Sequence, residues 1–222
     1  MSSLQRRIVY ELLSLVLATC LYFLLIDSSF VIDVSAALFG LVMLGLNVRF
    51  TQDVVWAQFP LALSRAERLR ACTKALLPVM LVAAGLCLGI GVAVGYADSG
   101  WPTVWKRLGN WHILLAVGIY LPWALLQQTL CQFYLHGRLR TLLPPPVAVV
   151  CTGIVFGLVH FPNLWVMLLT TGLGMFWTAL YARYRVLLPL AVSHAVLGAV
   201  FFYWVYGRDL ALKWGKRVLE LW

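Results

Sequence analysis

The sequence predicts an all-α fold, a polytopic membrane helical bundle of about seven transmembrane helices, on three observations. Of its 222 residues 63% are hydrophobic and 11% charged, and the mean hydropathy is +0.90. A soluble domain with one core would leave most of that apolar area facing water. The apolar stretches are about as long as the ~20 residues that a bilayer-spanning helix needs. Lys and Arg gather in short segments between those stretches, as topology signals do.

The first span is expected at about 8–26. It follows Arg6 and Arg7 and carries Glu11. Leu17-Ala18-Thr19-Cys20 loosely resembles a lipoprotein cleavage box, but the apolar run continues past Cys20, so the segment reads as a retained helix. The second span is expected at 30–47, with Asp33 near its outer end. Residues 49–74 form the only long connection. There Trp56, Phe59, Leu61, Leu63 and Leu69 mix with Arg65, Arg68 and Arg70, which suits either a helix lying on the anionic membrane face or an ordinary linker. The remaining spans are expected at 75–96, 111–135, 144–160, 163–181 and 186–206. Residues 207–222 make a basic, aromatic tail containing Trp214 and Trp222. The chain thus divides into N-terminal membrane helices with their cytoplasmic connection (1–110), a core richer in polar chemistry (111–206) and the tail (207–222).

The net charge is +9, yet the seventeen basic residues sit at helix ends and not along one face, which argues against nucleic acid and for membrane lipids as partners. With a cytoplasmic N-terminus, eleven of them fall inside and six outside, as the positive-inside rule requires of an integral, multi-pass protein. Five cysteines without a C-x-x-C pair make neither a disulfide framework nor a zinc ribbon. No internal repeat of the kind that solute carriers often show is evident.

Chemistry concentrates between 111 and 206. Gln128, Gln132 and His136 recur every four residues, which stacks them on one helical face bordered by Cys131. Amides facing lipid would lose their water partners, so the stripe must face the bundle interior or a wet cavity. Hydrogen-bonding glue between helices is the plainer alternative. Phe156 and His160 also share a face, as do His194 and Gly198. Ionisable groups at membrane depth pair, line water or do chemistry, and His136, His160 and His194 on three successive spans are expected to converge.

Three segments carry a resemblance: Cys131-Gln132-Phe133-Tyr134-Leu135-His136-Gly137, Phe156-Gly157-Leu158-Val159-His160, and His194-Ala195-Val196-Leu197-Gly198 after Leu187-Leu188-Pro189-Leu190. In order and spacing they resemble the E-E-x-x-x-R, F-x-x-x-H and H-x-x-x-N motifs of the CPBP family, the membrane-embedded CAAX prenyl protease 2 and Abi-type proteases, over roughly 111–204. The resemblance implies an intramembrane peptidase in which a glutamate activates water and histidines assist and stabilise the oxyanion. Here Cys131 and Gln132 replace the two glutamates, His136 the arginine and Gly198 the asparagine. No Asp or Glu occurs between Asp98 and Asp209. Glu11 and Asp33 are the only acids within expected spans.

Cys131, at the position of the activating glutamate, is therefore the candidate nucleophile, with His160 or His194 as its base. Gln132 is placed to donate to an oxyanion, and Gln128, His136, Phe156 and Gly198 support the site. No cofactor is favoured, although His136, His160 and His194 with one water would make a zinc geometry. The expected substrate is a membrane-anchored or lipidated peptide near the cytoplasmic face, hydrolysed or passed as an acyl group to another acceptor. The alternative is a catalytically inactive pseudoprotease that binds hydrophobic peptides or serves as an accessory subunit. Depth poses a puzzle: on straight helices Cys131 and His194 lie ~13 Å from a cytoplasmic end and His160 ~24 Å. Either Pro144-Pro145-Pro146 begins the fifth span within the protein or that helix tilts.

Overall fold

The computed structural model describes residues 1–25, 55–56, 61–209 and 212. The expected second span with Asp33, and most of the tail, lie outside the described residues. Among the described residues every regular element is helical. Helix α1 is Ser3–Leu25, α2 is Arg65–Ser99 and α3 is Trp101–Leu108. Helix α4, His112–Gln128, runs through a π-helical turn, Thr129–Leu135, into α5, His136–Leu142. Helix α6 is Pro145–Leu158, α7 is Leu164–Tyr184 and α8 is Leu188–Val200, the last ending in a second π-helical turn, Phe201–Val205.

Among the described residues four helical runs are long and apolar enough to cross a membrane: Arg65–Ser99, His112–Leu142, Leu164–Tyr184 and Leu188–Val205. They correspond to the expected third, fourth, sixth and seventh spans. Two helices differ in length from expectation. Helix α2 starts at Arg65, after a capping box in which Ser64 Oγ accepts from the Glu67 amide while the Ser64 amide donates to Glu67 Oε2 at 2.9 Å. That reciprocal pair satisfies two amides that the first turn would leave orphaned. The 35-residue helix rises ~52 Å, well beyond a ~30 Å hydrocarbon core. Arg65, Arg68 and Arg70 thus extend a spanning helix. Helix α6 is the opposite case, with only 14 residues, or ~21 Å. It starts on prolines, which the first turn tolerates because its amides lack helical partners. His160 lies past its end, so a depth counted along a straight 144–160 helix overstates its travel.

The described chain forms two compact units, Met1–Pro60 with Leu130–Thr178, and Leu61–Thr129 with Ala179–Trp222. In the first, Arg138 of α5 is 2% exposed and donates to Glu11 of α1 at 3.0 Å, with its guanidinium 3.5 Å from the centroid of the Tyr134 ring. A residue that reads as a cytoplasmic loop charge is therefore an interior partner. Val55 and Trp56 of the long connection are buried, Trp56 stacking on Phe133. That short piece packs into protein and not onto the membrane face. Helix α6 meets α7 through glycines: a Cβ on Gly153 would lie 2.8 Å from Met175 N, and one on Gly157 2.7 Å from Met167 O. Such close approach is how membrane helices gain packing where lipid removes the hydrophobic drive.

In the second unit Ala116 of α4 packs with Ala199 and Tyr203 at the end of α8. Gly91 of α2 lies against the Trp204 backbone, whose carbonyl oxygen would be 2.7 Å from an added Cβ. Arg68 donates to the Tyr184 carbonyl at 3.1 Å, satisfying one of the acceptors that a helix C-terminus leaves open. The short helix α3 is not evident from hydropathy. Gly100, at φ 72°, turns the chain out of α2, and Tyr96, Trp101, Trp105 and Trp111 around it are all exposed. Aromatic rings clustered at one helix end are the signature of the membrane–water interface.

Candidate functional site

In the first unit the candidate residues lie on the π-helical turn, on α5 and at the end of α6. A π-helical turn inserts extra backbone into a helix and often marks a functional position. Here it carries Cys131 and Gln132. Gln132 is fully buried, and the Thr178 hydroxyl of α7 donates to its Oε1. Its Nε2 has no hydrogen-bond partner among the described residues, so the amide keeps a donor for solvent or a bound carbonyl. Cys131 is a partly buried free thiol. Next along the chain, His136 is buried with its ring 6.4 Å from that of Trp56. The glycine after it has a steric cause, since a Cβ on Gly137 would stand 2.9 Å from Trp56 Cζ2.

Phe156 and His160 come together as their spacing predicts. Phe156 is fully buried, edge-on to Trp177 with 5.5 Å between ring centroids. Gly174 makes room for it, because a Cβ there would lie 2.9 Å from the Phe156 Cβ. His160 Nδ1 donates to the Phe156 carbonyl at 2.9 Å, since a carbonyl can only accept. That bond fixes the neutral tautomer and leaves the lone pair on Nε2, the form a general base requires.

The second unit holds Gln128, His194 and Gly198. His194 is buried on α8, and its Nε2 lies 3.2 Å from the hydroxyl of Tyr120 on α4. The two rings meet edge to face at 5.5 Å. Tyr120 also covers Gly198, where an added Cβ would be 2.9 Å from its Cε1. Gln127 Oε1 is 3.5 Å from the same hydroxyl. Gln128 is fully buried, with neither amide atom hydrogen-bonded among the described residues.

Two of the described acids outside the motif segments, Glu11 and Asp209, are engaged elsewhere. Glu11 is held between Arg7, at 3.2 Å, and Arg138, at 3.0 Å, which makes it a structural pair. Asp209 accepts from the Tyr203 hydroxyl and His112 Nδ1, both at 2.6 Å, from the Leu212 amide at 3.0 Å and from Asn110 Nδ2 at 3.1 Å. Burial pushes its pKa up, but these four donors outweigh it and hold the carboxyl well below the usual range. Among the described residues no group of three or more His, Cys, Asp or Glu side chains is placed to hold a metal ion.

All of the predicted stripe is buried: Gln128, Gln132 and His136 show almost no surface. Sequence reasoning missed Tyr120, Thr178 and the inward role of Trp56. Tyr120 carried a signal, for it precedes Gln127 by two helical turns and so shares its face. Thr178 and Trp56 carried none, because their partners are distant in sequence.

Residues 109–200 match the family model described as type II CAAX prenyl endopeptidase Rce1-like, so this segment of the chain is similar to that family. The match contains all three motif segments and both retained histidines. No curated protein matches the chain, and no solved structure does.

Proposed function

We propose that the chain is an intramembrane peptidase that processes a membrane-anchored or lipidated peptide, with Cys131 as nucleophile. The observation that carries the reading is the pair of family histidines, retained within the matched segment and each tied through one ring nitrogen to a defined partner. In this mechanism the thiol proton passes to an imidazole, for which the lone pair on His160 Nε2 is the better prepared. The sulfur attacks the scissile carbonyl carbon, and the carbonyl electrons move onto oxygen, toward the Gln132 Nε2 donor. Collapse expels the amine, which leaves with the proton, and water then hydrolyses the thioester. Gln128, with a donor and an acceptor uncommitted among the described residues, is suited to a peptide backbone. No cofactor is needed. The charge distribution supports a cytoplasmic N-terminus.

Two observations favour a second reading, a pseudoprotease that binds hydrophobic peptides. The matched segment has no carboxylate, and among the described residues no hydrogen bond joins Cys131 Sγ to an imidazole. Wild type, Cys131→Ala, His160→Ala and His194→Ala, assayed on membrane-anchored peptides and with a thiol-reactive probe, separate the two. Peptidase activity predicts that processing is lost in all three variants and that probe labelling falls in a histidine variant. Equal processing by all four proteins, or none by any, sinks the catalytic reading and leaves peptide binding to be measured.

A further inference from the structure

Between Arg140 and Arg183 the chain carries no Asp, Glu, Lys or Arg. That stretch holds α6, the turn after it and nearly all of α7. The two helices run antiparallel, Gly153 facing Met175 and Gly157 facing Met167, so the turn is the tip of a hairpin, remote along the chain from either arginine. Its surface is apolar. Leu158, Val159, Phe161, Leu164 and Trp165 are all exposed, Phe161 by 77% and Trp165 by 76%. A contiguous apolar surface marks a contact with protein, ligand or membrane.

Two further observations select the membrane. The first is length. With 14 residues α6 rises ~21 Å, about 9 Å short of a ~30 Å hydrocarbon core, so a helix that starts at one face ends before the other. Helix α7, with 21 residues, rises ~31 Å and just reaches that far boundary. The turn between them therefore falls in the last ~10 Å of the far leaflet. The second is the backbone, because lipid admits a turn only where its polar groups are satisfied internally. Val159 N donates to Val155 O at 3.3 Å, His160 N to Gly157 O at 3.0 Å and Phe161 N to Leu158 O at 3.1 Å. Pro162 has no amide proton to satisfy. Asn163 closes the start of α7, its carbonyl accepting from Met167 N at 2.8 Å and its Oδ1 from Val166 N at 3.1 Å. The His160 ring is turned onto the Phe156 carbonyl at 2.9 Å. The first two amides of α7 and the Trp165 indole suit the ester layer, where Trp side chains gather.

We propose that the turn joining α6 to α7 is embedded in the bilayer, with Phe161 and Trp165 among the acyl chains and ester groups of the leaflet opposite the α6 prolines. The partner is phospholipid, and the contact requires no peptide cleavage. It holds His160, between Val159 and Phe161, at the lipid boundary. Full-length Phe161→Cys and Trp165→Cys in liposomes are exposed on both faces to a water-soluble maleimide, with Arg65→Cys, at the exposed charged start of α2, as the aqueous control. Above the wild-type background the two hairpin variants should label at least about tenfold more slowly than the control, because apolar surroundings suppress the reactive thiolate. All three should label in SDS. The Trp165 fluorescence, taken as the difference between wild type and Trp165→Phe, should be quenched by phospholipids brominated on the acyl chain and little by aqueous iodide. Labelling of either hairpin variant at the control rate overturns the proposal. Protection from maleimide without quenching by brominated lipid overturns it too, because another part of the chain then covers the tip.

Discussion

Replacing Gly157 by Ala tests the packing that positions His160. In α6 the added Cβ would stand 2.7 Å from the Met167 carbonyl oxygen of α7, a backbone atom that no rotamer change can move. Ordinary contact begins near 3.4 Å, so the two helices must part by about 0.7 Å along this seam. A radial gap of ~0.5–1 Å forfeits a quarter to a half of the dispersion well for the atoms involved, and overpacking typically costs about 1–3 kcal/mol. Alanine returns up to ~1 kcal/mol in helix propensity, leaving a net loss of up to about 2 kcal/mol, which at that limit is roughly 4–8 °C in melting temperature for a chain of this size. The control is Gly172→Ala in α7, where an added Cβ meets nothing within 4 Å and stability should hold or rise. Thermal unfolding in one detergent, read by circular dichroism, compares the three proteins. If Gly157→Ala melts with or above wild type while Gly172→Ala behaves as expected, close backbone contact does not hold α6 to α7 and the argument is wrong.

Three other outcomes follow from the structure. Gly198→Asn, which restores the family residue, should destabilise by about 1–3 kcal/mol because Tyr120 occupies the space. Combining it with Tyr120→Ala should cost less than the two single losses together, a coupling that a double-mutant cycle measures. Arg138→Ala should lower stability by about 3 kcal/mol, the lower end for breaking a buried pair because Glu11 retains Arg7, and Glu11→Gln in that background should recover part of it in the same melting assay. Asp209 sets an acid limit: its depressed folded pKa gives stability that is fully present above the ordinary aspartate range near pH ~4 and lost as pH falls from there toward the folded value. Asp209→Asn should be less stable at neutral pH and should flatten that acid slope in urea or thermal titrations.

What was legible in the sequence is what one-dimensional spacing encodes. Hydropathy located the four long apolar helices among the described residues because a bilayer demands a minimum length of apolar helix. The four-residue recurrence of Gln128, Gln132 and His136 foretold their burial, and the F-x-x-x-H spacing foretold that Phe156 and His160 would meet. The spacing did not say that the bond would use the Phe156 carbonyl, nor that α6 would stop at Leu158 and leave His160 in the turn beyond.

Other assignments depended on which residues meet across long sequence separations. Arg138 has the pattern of a loop cation and becomes buried only because α1 brings Glu11 to it. Trp56 belongs by composition to a membrane-surface segment, yet Gly137 leaves a gap that its indole fills. The sequence alone therefore determined a helical membrane protein with a Rce1-like segment, two retained histidines and no carboxylate beside them. The tertiary structure decided what each histidine touches, since a hydrogen bond is set by distances of a few ångströms between helices. That is how Tyr120, seventy-four residues from His194 along the chain, comes to stand beside it.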